Sequence, residues 1–130
     1  MMASAAADGT IATWDFRALS GGSSKGYQMV RQPAAMMKHG TVTGAVKLAR
    51  GRENANASFQ SFLSVGPDTI LREWDMSTGT SLSESNTGHI DEITCFGSFA
   101  FGGEQQKMDR EGTLTCSLDG SVRMRRWMKV

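Results

Sequence analysis

Cysteine and proline are both scarce in this chain: its 130 residues hold two of each. Cys95 and Cys116 are too few for the disulfide framework of a small secreted domain, and they fit a reducing compartment. On that ground the chain is expected inside the cell, in cytoplasm or nucleus. An excess of one charge is missing too, since fourteen Lys and Arg stand against thirteen Asp and Glu, a formal net charge of +1. Bulk charge therefore does not favour nucleic acid as a partner. Long hydrophobic runs are absent: the most apolar stretch, Ile93 to Gly103 (ITCFGSFAFGG), is too short to span a bilayer, so no membrane partner is expected. The opening MMASAAADG lacks the basic and apolar regions of a secretory signal, and Asp8 and Asp15 argue against a transit peptide.

Glycine is what the chain has in excess, with 15 residues against a usual share of ~7%. Many glycines with two prolines suggest short strands joined by glycine turns. The apolar share, 39%, is that of a globular chain rather than a disordered one.

One phrase occurs three times. It runs SAAADGTIATWD from Ser4 to Asp15, SVGPDTILREWD from Ser64 to Asp75, and TCSLDGSVRMRRW from Thr115 to Trp127. In each, a hydroxyl residue lies four places before an Asp: Ser4 before Asp8, Ser64 before Asp68, Thr115 before Asp119. Trp14 and Trp74 follow their Asp by six places and Trp127 follows by eight, which keeps strand parity. Each phrase reads as a hairpin turning at Asp-Gly, or at Pro-Asp in the second copy. No 3.6-residue apolar stripe crosses these segments, so helix is a poor alternative.

Further strands are expected at Tyr27 to Gln32, Val42 to Leu48 and Ile93 to Phe101, with a polar edge strand from Thr80 to Ser85. The glycine-rich or charged stretches Gly21 to Gly26, Ala49 to Ser58 and Gly102 to Gly112 read as loops. The total is about ten strands and no helix.

These residues resemble the WD40 repeat family, whose repeat opens with Gly-His, closes with Trp-Asp and supplies a four-stranded propeller blade. Gly88-His89 followed by IDEITCF is similar to a repeat opening, and Trp14-Asp15 and Trp74-Asp75 are similar to endings. His39, after Lys38, would open the middle repeat. The resemblance implies an all-β, incomplete WD40-type propeller of four-stranded antiparallel blades. Residues 1–35 would form a partial blade, 36–87 a full blade, and 88–130 a blade lacking its last strand. It further implies structural hydrogen-bonded sets: His39, Ser64, Asp68 and Trp74 in the middle repeat, and His89, Thr115, Asp119 and Trp127 in the last. The hydroxyl, imidazole and carboxylate look like a catalytic triad on paper, but the family uses them for structure.

The chain departs from the pattern in places. Val42 lies three residues after His39, whereas Ile93 lies four after His89, and the last repeat ends Trp127-Met128. Asp8 to Asp68 is sixty residues and Asp68 to Asp119 fifty-one, against ~40–45 for a typical unit. Roughly two and a half blades cannot close a ring, which needs ~4–8. The segment therefore belongs to a longer design or associates through open sheet edges.

The functional expectation is a non-catalytic scaffold or adaptor binding other proteins, with no cofactor and no metal. An alternative rests on Trp14-Asp15-Phe16-Arg17, which resembles the Trp-Asp-x-Arg signature of substrate receptors in cullin-RING ubiquitin ligases. Asp15 and Arg17 would then be the residues contacting the ligase adaptor; otherwise Arg17 is a solvated end of an ordinary repeat. An F-box upstream would be another route to the same role. The basic end Arg123 to Lys129, with Trp127 among its cations, allows a more distant RNA-binding reading. His39, His89, Cys95 and Cys116 lack the close-pair spacing of a zinc site, and both cysteines are expected as small buried thiols.

Overall fold

The computed structural model describes residues 2–15, 32–40, 44–53, 60–100 and 111–126, and these hold ten strands and no helix. The architecture is all-β, in three antiparallel sheets. The first contains β1 (Met2–Ala5), β2 (Thr10–Trp14) and β3 (Ala35–Lys38). The second contains β4 (Lys47–Glu53), β5 (Gln60–Val65), β6 (Ile70–Asp75) and β7 (Ser81–Asn86), in that order. The third contains β8 (Ile93–Ala100), β9 (Glu111–Ser117) and β10 (Val122–Arg126), with β9 in the centre. Among the described residues no helix is long and apolar enough to cross a membrane.

Each repeated phrase is a hairpin, β1–β2, β5–β6 and β9–β10, and its turn follows from local chemistry. Asp8 accepts the Thr10 amide at 2.9 Å, Asp68 the Ile70 amide at 3.2 Å and Asp119 the Ser121 amide at 2.8 Å. The residue after each Asp has positive φ: Gly9 at 85°, Thr69 at 62° and Gly120 at 82°. Glycine meets this demand at no steric cost, whereas a β-branched residue does not. Thr69 is held there by its neighbours, with its carbonyl accepting the Thr87 hydroxyl at 2.7 Å and its amide bonded to Gly66 O at 3.1 Å.

Alternation decides which faces meet. Ile11, Phe62 and Trp74 form one buried cluster, joined by Ala3, Met37, Val46, Leu48 and Met76, between the first and second sheets. Leu63, Val65, Leu71 and Ile93 form another, with Phe96 packed on it, between the second and third. Burying each such side chain stabilises by about 1.5–3 kcal/mol. Strand β4 touches both β1 and β8, so the sheets meet along these edge strands. They do not close into a ring among the described residues.

The strand positions differ from the sequence reading in four places, the first being β9, which starts at Glu111 because Glu111 and Gly112 of the expected loop Gly102 to Gly112 pair with Ala100 and Phe99. Strand β3 was not foreseen, and it pairs with β2 in the first sheet (Ile11 opposite Met37), so that sheet extends to Lys38 rather than ending at residue 35. Strand β4 starts at Lys47 instead of Val42 and runs through Arg50 and Gly51, which the charge pattern had assigned to a loop. The reason is an edge position: Leu48 and Arg50 pair with Ser64 and Phe62, and charged side chains are tolerated where one strand edge is open. Gly51 serves close approach there, because a Cβ would lie 2.7 Å from the backbone of Ser61. Of the expected strand at Tyr27 to Gln32, residues 27–31 lie outside the described residues and Gln32 is not in a strand.

Because the two sibling turns use glycine, Thr69→Gly should relieve the left-handed strain of roughly 1–2 kcal/mol at an entropic cost of roughly 0.5–1 kcal/mol. A higher midpoint in urea unfolding is the expected outcome. A lowered midpoint would mean that the Thr69 side chain contributes more than its backbone costs.

Candidate functional site

A buried chain of polar groups links the first two sheets. The Trp74 indole, a donor only, gives its N–H to Ser64 Oγ at 2.7 Å. Ser64 Oγ lies 2.7 Å from His39 Nδ1, and His39 Nε2 lies 2.9 Å from Asp68 Oδ1. One proton arrangement satisfies every member: indole to hydroxyl, hydroxyl to Nδ1, and Nε2–H to the carboxylate. Arg72 Nη1 donates to the other oxygen, Asp68 Oδ2, at 2.7 Å, and Arg72 Nε donates to Glu84 at 3.1 Å. Arg72 Nη1 also lies 2.8 Å from His39 Nε2, and it would donate to that nitrogen if the ring carried its proton on Nδ1 instead.

Different elements deliver these groups. Strand β5 carries Ser64, the hairpin turn carries Asp68, and β6 carries Arg72 and Trp74, with Trp74 stacked on Phe62 at 6.5 Å. His39 follows β3, and its amide donates to Gly9 O at 2.9 Å in the first hairpin turn. His39 is 1% exposed and Ser64 0%. Burial lowers the His39 pKa despite the opposing pull of Asp68, so the imidazole is held neutral. Burial would raise the Asp68 pKa, but the bonds from Arg72 and His39 outweigh it and the carboxyl sits below its ordinary range.

The third sheet repeats the device with the ring reversed. His89 Nε2 meets Thr115 Oγ1 at 2.8 Å, while Nδ1 faces Asp119 Oδ2 at 3.1 Å and Ser121 Oγ at 3.0 Å. Hydrogen bonds from Ser121, from the Ile90 amide and from His89 hold the Asp119 carboxyl well below the usual range. Trp127 lies outside the described residues. Strand register puts Arg125, opposite Thr113, where the second sheet has Trp74 opposite Phe62. A cleft of about 390 Å³ opens there, bounded by Leu71 and Thr87 on one side and Thr113, Thr115, Arg123 and Arg125 on the other. The first sheet keeps a shorter version, in which the Trp14 indole donates to Ser4 Oγ at 2.9 Å.

Ser64, His39 and Asp68 have the order of a hydrolase triad, but the Ser64 oxygen is closed to solvent and already accepts the indole proton. A substrate carbonyl has no open approach to that oxygen, and the geometry is that of a buried hydrogen-bonded chain. Among the described residues no group of three His, Cys, Asp or Glu could hold a metal ion. Asp15 is half-buried at the end of β2, and Arg17 lies outside the described residues. The corresponding Asp75 accepts the Ser77 amide at 2.8 Å and the Ser77 hydroxyl at 2.7 Å, forming a local turn. Those bonds hold its pKa low.

Sequence reasoning missed Arg72, Glu84 and Ser121. Arg72 stands four places after Asp68, and only strand pairing, Ser64 opposite Arg72 opposite Glu84, brings the three together. The cysteines also differ from expectation: Cys95 is exposed and Cys116 half-buried. A bulge between Ile93 and Cys95 turns Ile93 and Phe96 inward and leaves Cys95 outside. Compared with protein-family models and with curated proteins, the chain matches none of them.

Replacing Ser64 with Ala strands both the indole N–H and His39 Nδ1 in a dry interior, at about 1–3 kcal/mol for each group left unpaired. Chemical denaturation of Ser64→Ala should show a loss of about 2–6 kcal/mol for the two groups together, while Ser83→Ala on the exposed face of β7 should show almost none. Acid should weaken the fold in two stages, and the signs agree. The neutral His39 contributes fully above its ordinary value of 6.5, and that stability is lost as pH falls from there through the lowered folded value. Asp68 contributes fully above 3.8, and its share is lost as pH falls through its lowered folded value. Urea midpoints measured from pH 8 to pH 3 should be level above 7 and fall in both windows.

Proposed function

We propose that this chain is part of a WD40-type propeller that works as a non-catalytic scaffold, binding other proteins through the faces and edges of its sheets. The single observation that carries this reading is the open face of the third sheet. By register, Val122, Cys116 and Cys95 share that face with Met124 and Leu114. Val122 is 66% exposed, Met124 59% and Leu114 40%. The matching positions in the second sheet, Leu71, Val65 and Leu63, are buried beneath the third sheet. Val122 and Leu114 are therefore bare where Leu71 and Leu63 are covered, as in a row of blades whose neighbour is another sheet.

Met2 and Met36 give the far side of the first sheet a second exposed apolar surface. Large bare apolar faces mark association sites in soluble proteins. The hydrogen-bonded histidines supply rigidity to this platform, with function in the surfaces that it presents. Asp15 and Arg17 remain the contacts that a ligase adaptor would use if the chain serves as a substrate receptor.

Light scattering across a concentration series provides the test. The chain should self-associate through these faces, and Val122→Asp with Met124→Asp should shift it to monomer with its circular dichroism unchanged. A wild-type chain that stays a cooperative monomer at every concentration would sink the proposal.

A further inference from the structure

Cys95 and Cys116 are direct partners across β8 and β9, and opposed side chains in an antiparallel pair share one face of the sheet. Both thiols are free, Cys95 exposed and Cys116 half-buried. The character of the pair follows from the neighbouring bonds. The Ser117 amide donates to Ser121 O at 3.2 Å, so Ser117 turns its polar groups toward β10. The adjacent Cys116 therefore turns its own toward β8, where its carbonyl also accepts the Thr94 hydroxyl at 3.3 Å. Opposed residues of this hydrogen-bonded kind stand about 5.5 Å apart at Cα, inside the ~4.4–6.8 Å window for a disulfide. Their Cβ atoms, at up to about 5.5 Å, must close to ~3.5–4.5 Å. The bulge beside Cys95 interrupts the ladder there and supplies local freedom for that movement.

We propose that Cys95 and Cys116 form a reversible cross-strand disulfide that acts as a redox clasp on the third sheet. The co-reactant is a low-molecular-weight disulfide such as oxidised glutathione. The exposed Cys95 thiolate attacks one of its sulfurs, forming a mixed disulfide and releasing one glutathione thiolate. Cys116, having lost its proton to solvent, then attacks the Cys95 sulfur and expels the second. Two protein thiols are oxidised to one disulfide, and one glutathione disulfide is reduced to two thiols. Because the pair must close inward to bond, the link is strained and easily reduced, which suits a switch rather than a permanent staple. The clasp joins β8 to β9 beside Ile93 and Phe96, the residues that seat the third sheet on the second.

The experiment equilibrates the folded chain in graded mixtures of reduced and oxidised glutathione, then alkylates free thiols and weighs the intact protein. The expected product has lost the mass of two hydrogen atoms, carries no alkyl group at either cysteine, and returns to the dithiol with dithiothreitol. Cys95→Ser and Cys116→Ser, each checked for an unchanged circular dichroism spectrum, should carry a glutathione or an alkyl group on the remaining thiol and never yield that product. Wild-type chain in which both cysteines stay alkylatable, or each carries its own glutathione, overturns the proposal. Disulfide-linked dimers in place of the internal bond overturn it as well.

Discussion

An imidazole buried to 1% exposure must have both ring nitrogens satisfied, and much of this fold is arranged around that requirement. His39 belongs by its backbone to the end of the first sheet and by its side chain to the second. The hydroxyl that it needs comes from β5, the carboxylate from a tight turn, and the indole and guanidinium from β6. Each partner is usable only if β5 and β6 pair in one register, since a slip by one residue would send Ser64 and Trp74 to the opposite face. Satisfying one ring therefore fixes a hairpin, a turn and the seating of two sheets. The cost of leaving any of these groups unpaired in a low-dielectric interior makes the arrangement specific as well as stable.

The three hairpins show how one phrase changes when its components change. With Ser4, Asp8 and Trp14, the first makes the indole–hydroxyl bond, while the imidazole at the end of its own β3 turns to the second sheet. With Ser64, Asp68 and Trp74, the second makes the whole relay. The third keeps imidazole, hydroxyl and carboxylate, but Arg125 takes the place of the indole, and a cleft lies where the second sheet stacks two aromatic rings. A turn residue varies in the same way, Thr69 standing where the siblings have Gly9 and Gly120. The most complete unit is the middle one, which has neighbours on both faces. The outer two leave apolar faces bare.

The repeated Ser-x-x-x-Asp spacing made the hairpins legible, because hydroxyl, turn carboxylate and strand parity are all local in sequence. The strands Ser81–Asn86 and Ile93–Ala100 were legible for the same reason, being short alternating runs between turn signals. Strand β4 was not, because Arg50, Gly51 and Glu53 have loop composition and become a strand only when β5 offers a hydrogen-bonding edge. Strand β3 was hidden likewise, since AMMK has no pattern of its own and is recruited by β2. Within the site, Arg72 and Glu84 depend on pairing across three strands, and no spacing along the chain announces them. The exposure of Cys95 turns on one bulge, which reverses strand parity at a single step.

As a neutral ring donating Nε2–H to Asp68, His39 would weld the first sheet to the second. Long-range proton–nitrogen NMR of the imidazoles, followed from pH 8 to pH 4, tests it most directly. The expected result is the Nε2–H tautomer for His39, with Nδ1 accepting from Ser64, and protonation below the ordinary histidine value. A ring that titrates at or above that value, or that exchanges freely between tautomers, would contradict it.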